Sequence, residues 1–521
     1  MAEIAEKDWT IMVYMAGDNN LNDDMFAGIL GLRERIGPTL KDKVSFLIYF
    51  DGETISAKTL QIDFSDSQSG YVTRNYENSS SNISEFVEWC INDRKCVATN
   101  YALIFSGHGD GFLSGKFLRD DNPGSYLTGP DLRQELRKVK ETLKDKKLKL
   151  IGFDSCVMNS VETAYEMSPF AEILVGSQGY FPNAGWDYGR IAANLTSEYS
   201  GNETVSKDRM ADIITNSLIE SNYRYALYAG RSIDICWSDL SMIDPVAEAI
   251  YAFASKLKEI YRNRGLKAKL EQAILFAHCK CQAYYYDQCV DLIDFCESFL
   301  ENCDEELSKE INVECNALIA TANDCIRRSL FLGPEFQFAR GFSMFFPWCY
   351  DTYKKFFEKI YRNLDMATGD THIGDEHTFD KSKWTDFLDE YLKETKRPIN
   401  KKASEPIQDI KGLSVGSVKK TRNPKPLTPF FTPFEMKAAS FVAFNAHKVG
   451  GGDRPRVGGG DRPRIGGGDR PKGGGVPEEV RITKNFPWIW NEWGLSPEVR
   501  QILLDAGIID DSRKPAGFIP S

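Results

Sequence analysis

Five runs within the first 240 residues are apolar at nearly every position: "WTIMVYMA" (9–16), "VSFLIYF" (44–50), "YALIFSG" (101–107), "LKLIGF" (148–153) and "EILVGS" (172–177). A strand with one wetted face alternates apolar and polar residues, whereas an unbroken run needs cover on both faces. Between these runs the spacing predicts helices near 21–35, 82–93, 130–145 and 158–168. Strand, crossover helix and strand in succession predict an α/β fold, with a mostly parallel central sheet between two helical layers. In such sheets, ligands sit at the carboxyl ends of the strands.

Downstream, about 203–365, helical patterning dominates, with helices predicted at 207–221, 244–262, 288–301 and 305–328 and a return to strand character at "GFSMFFPW" (341–348). Mixed-charge helical patterning continues to about 396, after which scattered Pro and Lys mark an extended linker. Residues 449–475 repeat every eight positions, "VGGGDRPR VGGGDRPR IGGGDRPK GGG". Three glycines per unit supply no core, so this stretch is expected to be a flexible tether. Beyond it, Trp488, Trp490 and Trp493 precede a short helix opened by Ser496 and Pro497 and closed by Gly507. The predicted division is a catalytic core at 1–240, a helix-rich extension at 241–396, a linker at 397–475 and a Trp-rich tail at 476–521.

Composition adds limits. With 521 residues, 42% of them hydrophobic and 12% aromatic, the chain can bury a large core. Its N-terminus lacks the basic start and apolar core of a secretory leader, and no apolar run approaches the ~20 residues that span a bilayer. Twelve cysteines over this length are too dilute for a disulfide scaffold. A cytoplasmic location without membrane attachment is therefore expected. A formal net charge of −11 argues against nucleic acid as a general partner.

The chemistry concentrates at two strand ends. His108 stands in "YALIFSGHGDG", and Cys156, 48 residues later, in "LIGFDSC". Both side chains are expected at one edge of the sheet. A thiol of ordinary pKa, ~8.5, is mostly protonated at neutral pH, and an adjacent imidazole can take its proton and leave a nucleophilic thiolate. Acyl transfer also needs donors for the developing oxyanion, for which the N–H groups of Gly109 and Cys156 are candidates.

The blocks "WTIMVYMAGDNNLND", "ALIFSGHGDG", "LKLIGFDSCVMNSVETAYEM" and "ILVGSQGYFPNAGWDYG" resemble, in order, the clostripain family of cysteine peptidases, relatives of caspases, gingipains and legumain. "YYYDQCVDLIDFC" and "GFSMFFPW" resemble its downstream region, so the resemblance runs from about residue 8 to 360. It implies a caspase-like fold and an endopeptidase with Cys156 as nucleophile and His108 as general base and acid. It also implies cleavage after Arg or Lys, with Asp154 helping to form the charged pocket that receives the basic side chain. After the fifth strand, family members commonly place Ser before acidic residues, whereas this chain reads Ser177, Gln178, Gly179. Asp187 is the candidate that could compensate. Family members are often zymogens cut between the two catalytic strands, which makes Arg119 the first and Lys116 the second candidate for autoprocessing. In the tether, Arg456, Arg464 and Lys472 are further candidates, while the bonds after Arg454, Arg462 and Arg470 precede proline. Clostripain's calcium dependence leaves Ca²⁺ open, although the sequence has no EF-hand-like ligand series. Expected partners are proteins or peptides with basic residues, and a docking partner for the Trp-rich tail.

Plainer readings compete at several places. His278, Cys279, Cys281 and Cys289 invite a zinc reading, but their spacing matches no common paired motif and structural roles are expected. Asp18, Asn19 and Asn20 either cap the first helix or shape the active edge. A catalytically inactive scaffold, or a module that binds basic peptides, is the alternative to an enzyme, and the presence of both His108 and Cys156 weighs against it.

Overall fold

A computed structural model describes residues 6–394 except 53–57, 65–69, 76–81, 110, 112–116, 120–125, 230–231, 285–287, 334, 348–349, 351–352 and 354–383. The elements run β1 (Lys7–Gly17), α1 (Asn22–Arg35), α2 (Pro38–Lys43), β2 (Val44–Gly52), β3 (Lys58–Asp63), β4 (Gly70–Asn75), α3 (Ile83–Glu88), β5 (Ala98–Ser106), α4 (Gly129–Thr142), β6 (Leu150–Asp154), α5 (Val161–Met167) and β7 (Ile173–Gly176). They continue with α6 (Tyr188–Tyr199), α7 (Lys207–Ala229), β8 (Ile233–Asp239), α8 (Ile243–Arg262), α9 (Lys267–Lys280), β9 (Ala283–Tyr284), β10 (Cys289–Asp291), α10 (Leu292–Glu301), α11 (Glu305–Cys325), β11 (Ile326–Leu332), β12 (Ser343–Phe345) and α12 (Trp384–Glu394).

One nine-stranded sheet carries the order β11-β8-β7-β6-β5-β1-β2-β3-β4. Its five middle strands, β7-β6-β5-β1-β2, are parallel, and antiparallel strands flank them on both sides. The continuous apolar runs are explained by the two cores. Ile11, Val13 and Met15 of β1 join the core on one face with α1, α2, α6 and α7, while Met12, Tyr14 and Ala16 join the opposite core with α3, α4, α5 and the downstream helices. Both faces are dry, so neither alternates. This is the three-layer, mostly parallel α/β arrangement expected from the sequence.

The catalytic unit expected at 1–240 does not hold the whole sheet. Its outermost strand, β11, comes from residues 326–332 and pairs antiparallel with β8. The helix expected at 305–328 stops at Cys325, and its last three residues, Ile326–Arg328, instead open the strand "IRRSLFL". A second, three-stranded sheet, β12-β10-β9, packs the extension beside the segment that follows β6. There Phe345 N–H donates to the buried Glu162 carboxylate at 2.9 Å, and Trp384 donates to the Phe345 carbonyl at 2.7 Å. Among the described residues no helix is long and apolar enough to cross a membrane. The linker, the tether and the tail lie outside the described residues.

Candidate active site

Parallel pairing of β5 with β6 sets the site. The register ends on Ser106 opposite Asp154, and Gly107 N–H extends it by donating to the Asp154 carbonyl at 3.3 Å. His108 and Cys156 lie two positions beyond that last pair, on neighbouring chains leaving the same sheet edge. Gly109 lets the segment after His108 pack directly on the Ser155–Cys156 backbone. A Cβ built there would lie 2.5 Å from the Cys156 carbonyl oxygen and 2.8 Å from Ser155 Cβ.

Cys156 is half-buried and turns sharply out of its strand. The next residue, Val157, has φ of 50°, a left-handed conformation that costs a β-branched residue about 1–3 kcal/mol. Two hydrogen bonds across the turn hold it: Val157 N–H to the Gly179 carbonyl and Asn159 N–H to the Ser177 carbonyl, each 2.9 Å. The thiol sulfur accepts from Phe181 N–H at 3.2 Å. This backbone donor was missed in the sequence, although the Gly and Pro of "GSQGYFP" mark an irregular segment after β7.

His108 Nε2 lies 2.7 Å from the Asn20 side-chain oxygen. An amide oxygen only accepts, so Nε2 carries the hydrogen and Nδ1 is the basic nitrogen of the neutral ring. Of the "DNN" stretch, it is Asn20 that meets the His108 ring. Its neighbour Asn19 donates to the carbonyl of Arg119 at 2.7 Å and accepts from Leu21 N–H at 2.9 Å. Leu118 N–H pairs with the His108 carbonyl at 2.9 Å. The chain leading to the exposed Arg119 is therefore laid along the His108 strand. Lys116, Arg456, Arg464 and Lys472 lie outside the described residues.

Asp154 is buried, 5% exposed. Its carboxylate accepts from Ser106 Oγ and Tyr188 OH, both at 2.8 Å, and from Trp186 N–H at 2.9 Å. Burial raises its pKa to about 6, against the lowering effect of those donors. The segment reaches the carboxylate at Gly185, whose φ is 62° and whose Cβ would lie 2.7 Å from Asp154 Oδ1. Trp186 then packs on the strand itself, where a Cβ on Gly152 would stand 2.7 Å from its ring.

The remaining candidates sit away from the surface or serve helices. Ser177 and Gln178 are both 0% exposed, so the structure places them in the interior rather than facing a substrate. Ser177 donates to the Asp234 carbonyl at 2.6 Å. Asp187 is the N-cap of α6, accepting from Arg190 N–H at 2.8 Å and from Ser221 of α7 at 2.9 Å. His278 is buried against Phe346, ring centroids 5.0 Å apart, and burial lowers its pKa to about 3. Cys281 and Cys289 are buried and Cys279 is exposed. Among the described residues no three acidic, His or Cys side chains gather to hold a cation, and no step below is routed through one.

The sequence model of the clostripain family, Peptidase_C11, matches residues 13–391, most of the chain. The chain belongs to the clostripain family. It is accordingly a cysteine protease, a hydrolase acting on proteins or peptides. Among solved structures, a secreted C11 cysteine protease from Bacteroides thetaiotaomicron, in complex with an irreversible peptide inhibitor, is 17% identical. That match covers 69% of this chain and 99% of the other, with a TM-score of 0.48. A structure of the protease from the same organism named "iotapain", also described as secreted, is 16% identical over 66% and 91% of the two chains, TM-score 0.47. An inactive zymogen C11 protease from Parabacteroides distasonis is 17% identical over 67% and 90%, TM-score 0.42. None of the curated proteins compared matches this chain. The description of two of these clostripain-family structures as secreted conflicts with the cytoplasmic location expected above, and that expectation is withdrawn. It rested on the absence of one leader pattern and on dilute cysteines, and neither fixes a compartment.

Proposed function

We propose that this clostripain-family protease is an endopeptidase that works through Cys156 and His108 and prefers a basic residue before the scissile bond. The observation that carries the proposal is the Ser106–Asp154 register, which delivers both side chains to one edge. In this reading His108 Nδ1 takes the thiol proton and the sulfur attacks the carbonyl carbon. The N–H groups of Gly109 and Cys156 receive the oxyanion. On collapse the C–N bond breaks, the leaving amine takes the proton from His108, and water then hydrolyses the thioester to restore the thiol.

Asp154 supplies negative charge beneath this edge. With Ser106, Trp186 and Tyr188 engaging both its oxygens, it acts through its field and not as a bidentate partner, which predicts a moderate preference for Arg and Lys. For autoprocessing, Arg119 stays ahead of Lys116, because Asn19 fixes its carbonyl beside the Asn20–His108 pair. The Arg456, Arg464 and Lys472 bonds of the tether are further processing sites, releasing a tail that docks elsewhere.

Hydrolysis of fluorogenic Arg, Lys and neutral peptides by wild type, Cys156→Ala and His108→Ala tests the dyad and the preference together. Activity lost in both variants and higher on basic peptides is expected. Equal rates in all three proteins would remove the Cys156–His108 dyad. Intact mass of wild type against Cys156→Ala reads the processing sites, and an uncut chain in active wild type removes them.

A further inference from the structure

The strand-end turn bearing Cys156 is held from outside the catalytic strands. Two chain segments flank the thiol: 157–160, which follows it, and 177–181, which brings the Phe181 N–H to the sulfur at 3.2 Å. The extension grips both. Asn159 donates to the Gly341 carbonyl at 2.5 Å, and Ser343 N–H returns a bond to the Asn159 carbonyl at 3.2 Å. On the other segment, both polar side-chain atoms of Gln178 bond to the extension. Its Nε2 donates to Asp291 Oδ2 at 2.9 Å, and its Oε1 accepts from Gly341 N–H at 3.0 Å and Tyr284 OH at 3.2 Å.

Asp291 is itself committed. It caps α10 through Asp294 N–H at 2.8 Å and accepts from Arg340 N–H at 2.7 Å. Beneath Gln178, the backbone N–H groups of Gln178 and Gly179 converge on the Asp234 carboxylate at 2.7 and 2.9 Å. The segment packs closely there: a Cβ on Gly179 would lie 2.3 Å from the Phe336 ring, so only glycine fits.

We infer that Gln178, clasped by Asp291, Tyr284 and Gly341, is a positioning residue. It sets the 177–181 segment against Cys156 and makes the helix-rich extension a working part of the active site. The inference rests on Cys156 being the nucleophile. It also gives a physical use to Gln178 at the place where the family resemblance implied acidic residues. A neutral amide can donate to one extension group and accept from two others, whereas an ionised carboxylate there could only accept.

The test uses the full chain with Gln178→Ala and the nearly isosteric Asp291→Asn, each normalised to active sites titrated with an irreversible thiol-directed peptide inhibitor. The expected result is a kcat per titrated site about tenfold to a hundredfold below wild type, with KM within about threefold, in proteins of unchanged circular dichroism. In parallel, alkylation of Cys156 by iodoacetamide at neutral pH, read by mass spectrometry, slows by about threefold or more as the thiolate loses its N–H donor. Folded variants with kcat per site within twofold of wild type and unchanged alkylation overturn the inference. A loss of titratable sites at unchanged kcat per site does so as well, since it reports folding alone. Should Gln178→Ala not fold, Asp291→Asn is judged by the same thresholds. Cys156→Ala, run alongside, separates the two readings: if it keeps hydrolysing, the nucleophile assignment fails, whereas the alkylation arm still reads the segment's hold on the thiol.

Discussion

Substituting Gly109 by alanine should nearly abolish activity without unfolding the protein. The added Cβ meets the Cys156 carbonyl oxygen at 2.5 Å, Ser155 Cβ at 2.8 Å and Met158 Cγ at 3.0 Å. Ordinary contact begins near 3.4 Å, so about 0.9 Å must be found. The first two obstacles are backbone and a Cβ, with no rotamer to escape into, so the His108 and Cys156 strand ends must move apart. A displacement of about 1 Å at reacting groups costs on the order of a hundredfold in rate. The fold cost is smaller, about 1–3 kcal/mol, as for overpacking elsewhere. The assay is kcat/KM on an Arg peptide with a thermal melt of each sample. Gly37→Ala is the control, since nothing lies within 4 Å of its added Cβ. Gly109→Ala within threefold of wild type, while folded, would refute the claim that close approach at this glycine assembles the site.

Other expectations follow from the same geometry. Asp154, Asp234 and Asp291 have pKa values raised to about 6, about 6 and about 7, chiefly by burial. Between the unfolded carboxylate range near 4 and these values the folded state binds more protons; His278, lowered to about 3, opposes this up to its unfolded value near 6.5, but the three acids outweigh it, so stability falls as pH rises through about 4 to 7 and then levels. Melting temperature should be higher at pH 5 than at pH 8, and a flat or opposite trend counts against their burial. Asn20→Ala should lower kcat about tenfold by releasing the Nε2–H end of His108, and Asn20→Asp should move the pH-rate profile by raising the imidazole pKa. Gly185→Ala should destabilise by about 1–3 kcal/mol, measured by denaturant titration, because alanine takes the left-handed φ of 62° poorly and its Cβ lies 2.7 Å from Asp154 Oδ1.

The middle of the sheet was legible because its strands are apolar on both faces, and all five runs became strands. The edges were not. β3, "KTLQID", and β4, "GYVTRN", carry polar residues that a purely apolar criterion passes over. Near 288–301, three residues of strand at Cys289–Asp291 precede a helix that Asp291 caps, so a single helical pattern concealed an N-cap. At the site, His108 and Cys156 stood out because glycines and strand ends are local signals. Gln178 did not reveal its partners, since Tyr284, Asp291 and Gly341 lie 106 to 163 residues away in the chain. Nothing local in "GSQGY" specifies them. Asp187 looked like a pocket acid for the converse reason: a helix cap and a ligand carboxylate have the same sequence appearance.

The reach of the Cys156 turn into late sequence has a consequence for synthesis. Its flanking segments are secured by Asp291, Gly341 and Ser343, and the sheet's last strand ends at Leu332. A nascent chain that has already made Cys156 must add about 190 more residues before that turn is framed, a delay of roughly 10–40 s at ordinary elongation rates. During that interval the growing chain carries Cys156 and His108 without the segments that hold the Cys156 turn, so in the proposed mechanism the order of the chain itself delays proteolysis until most of the folded body has been made.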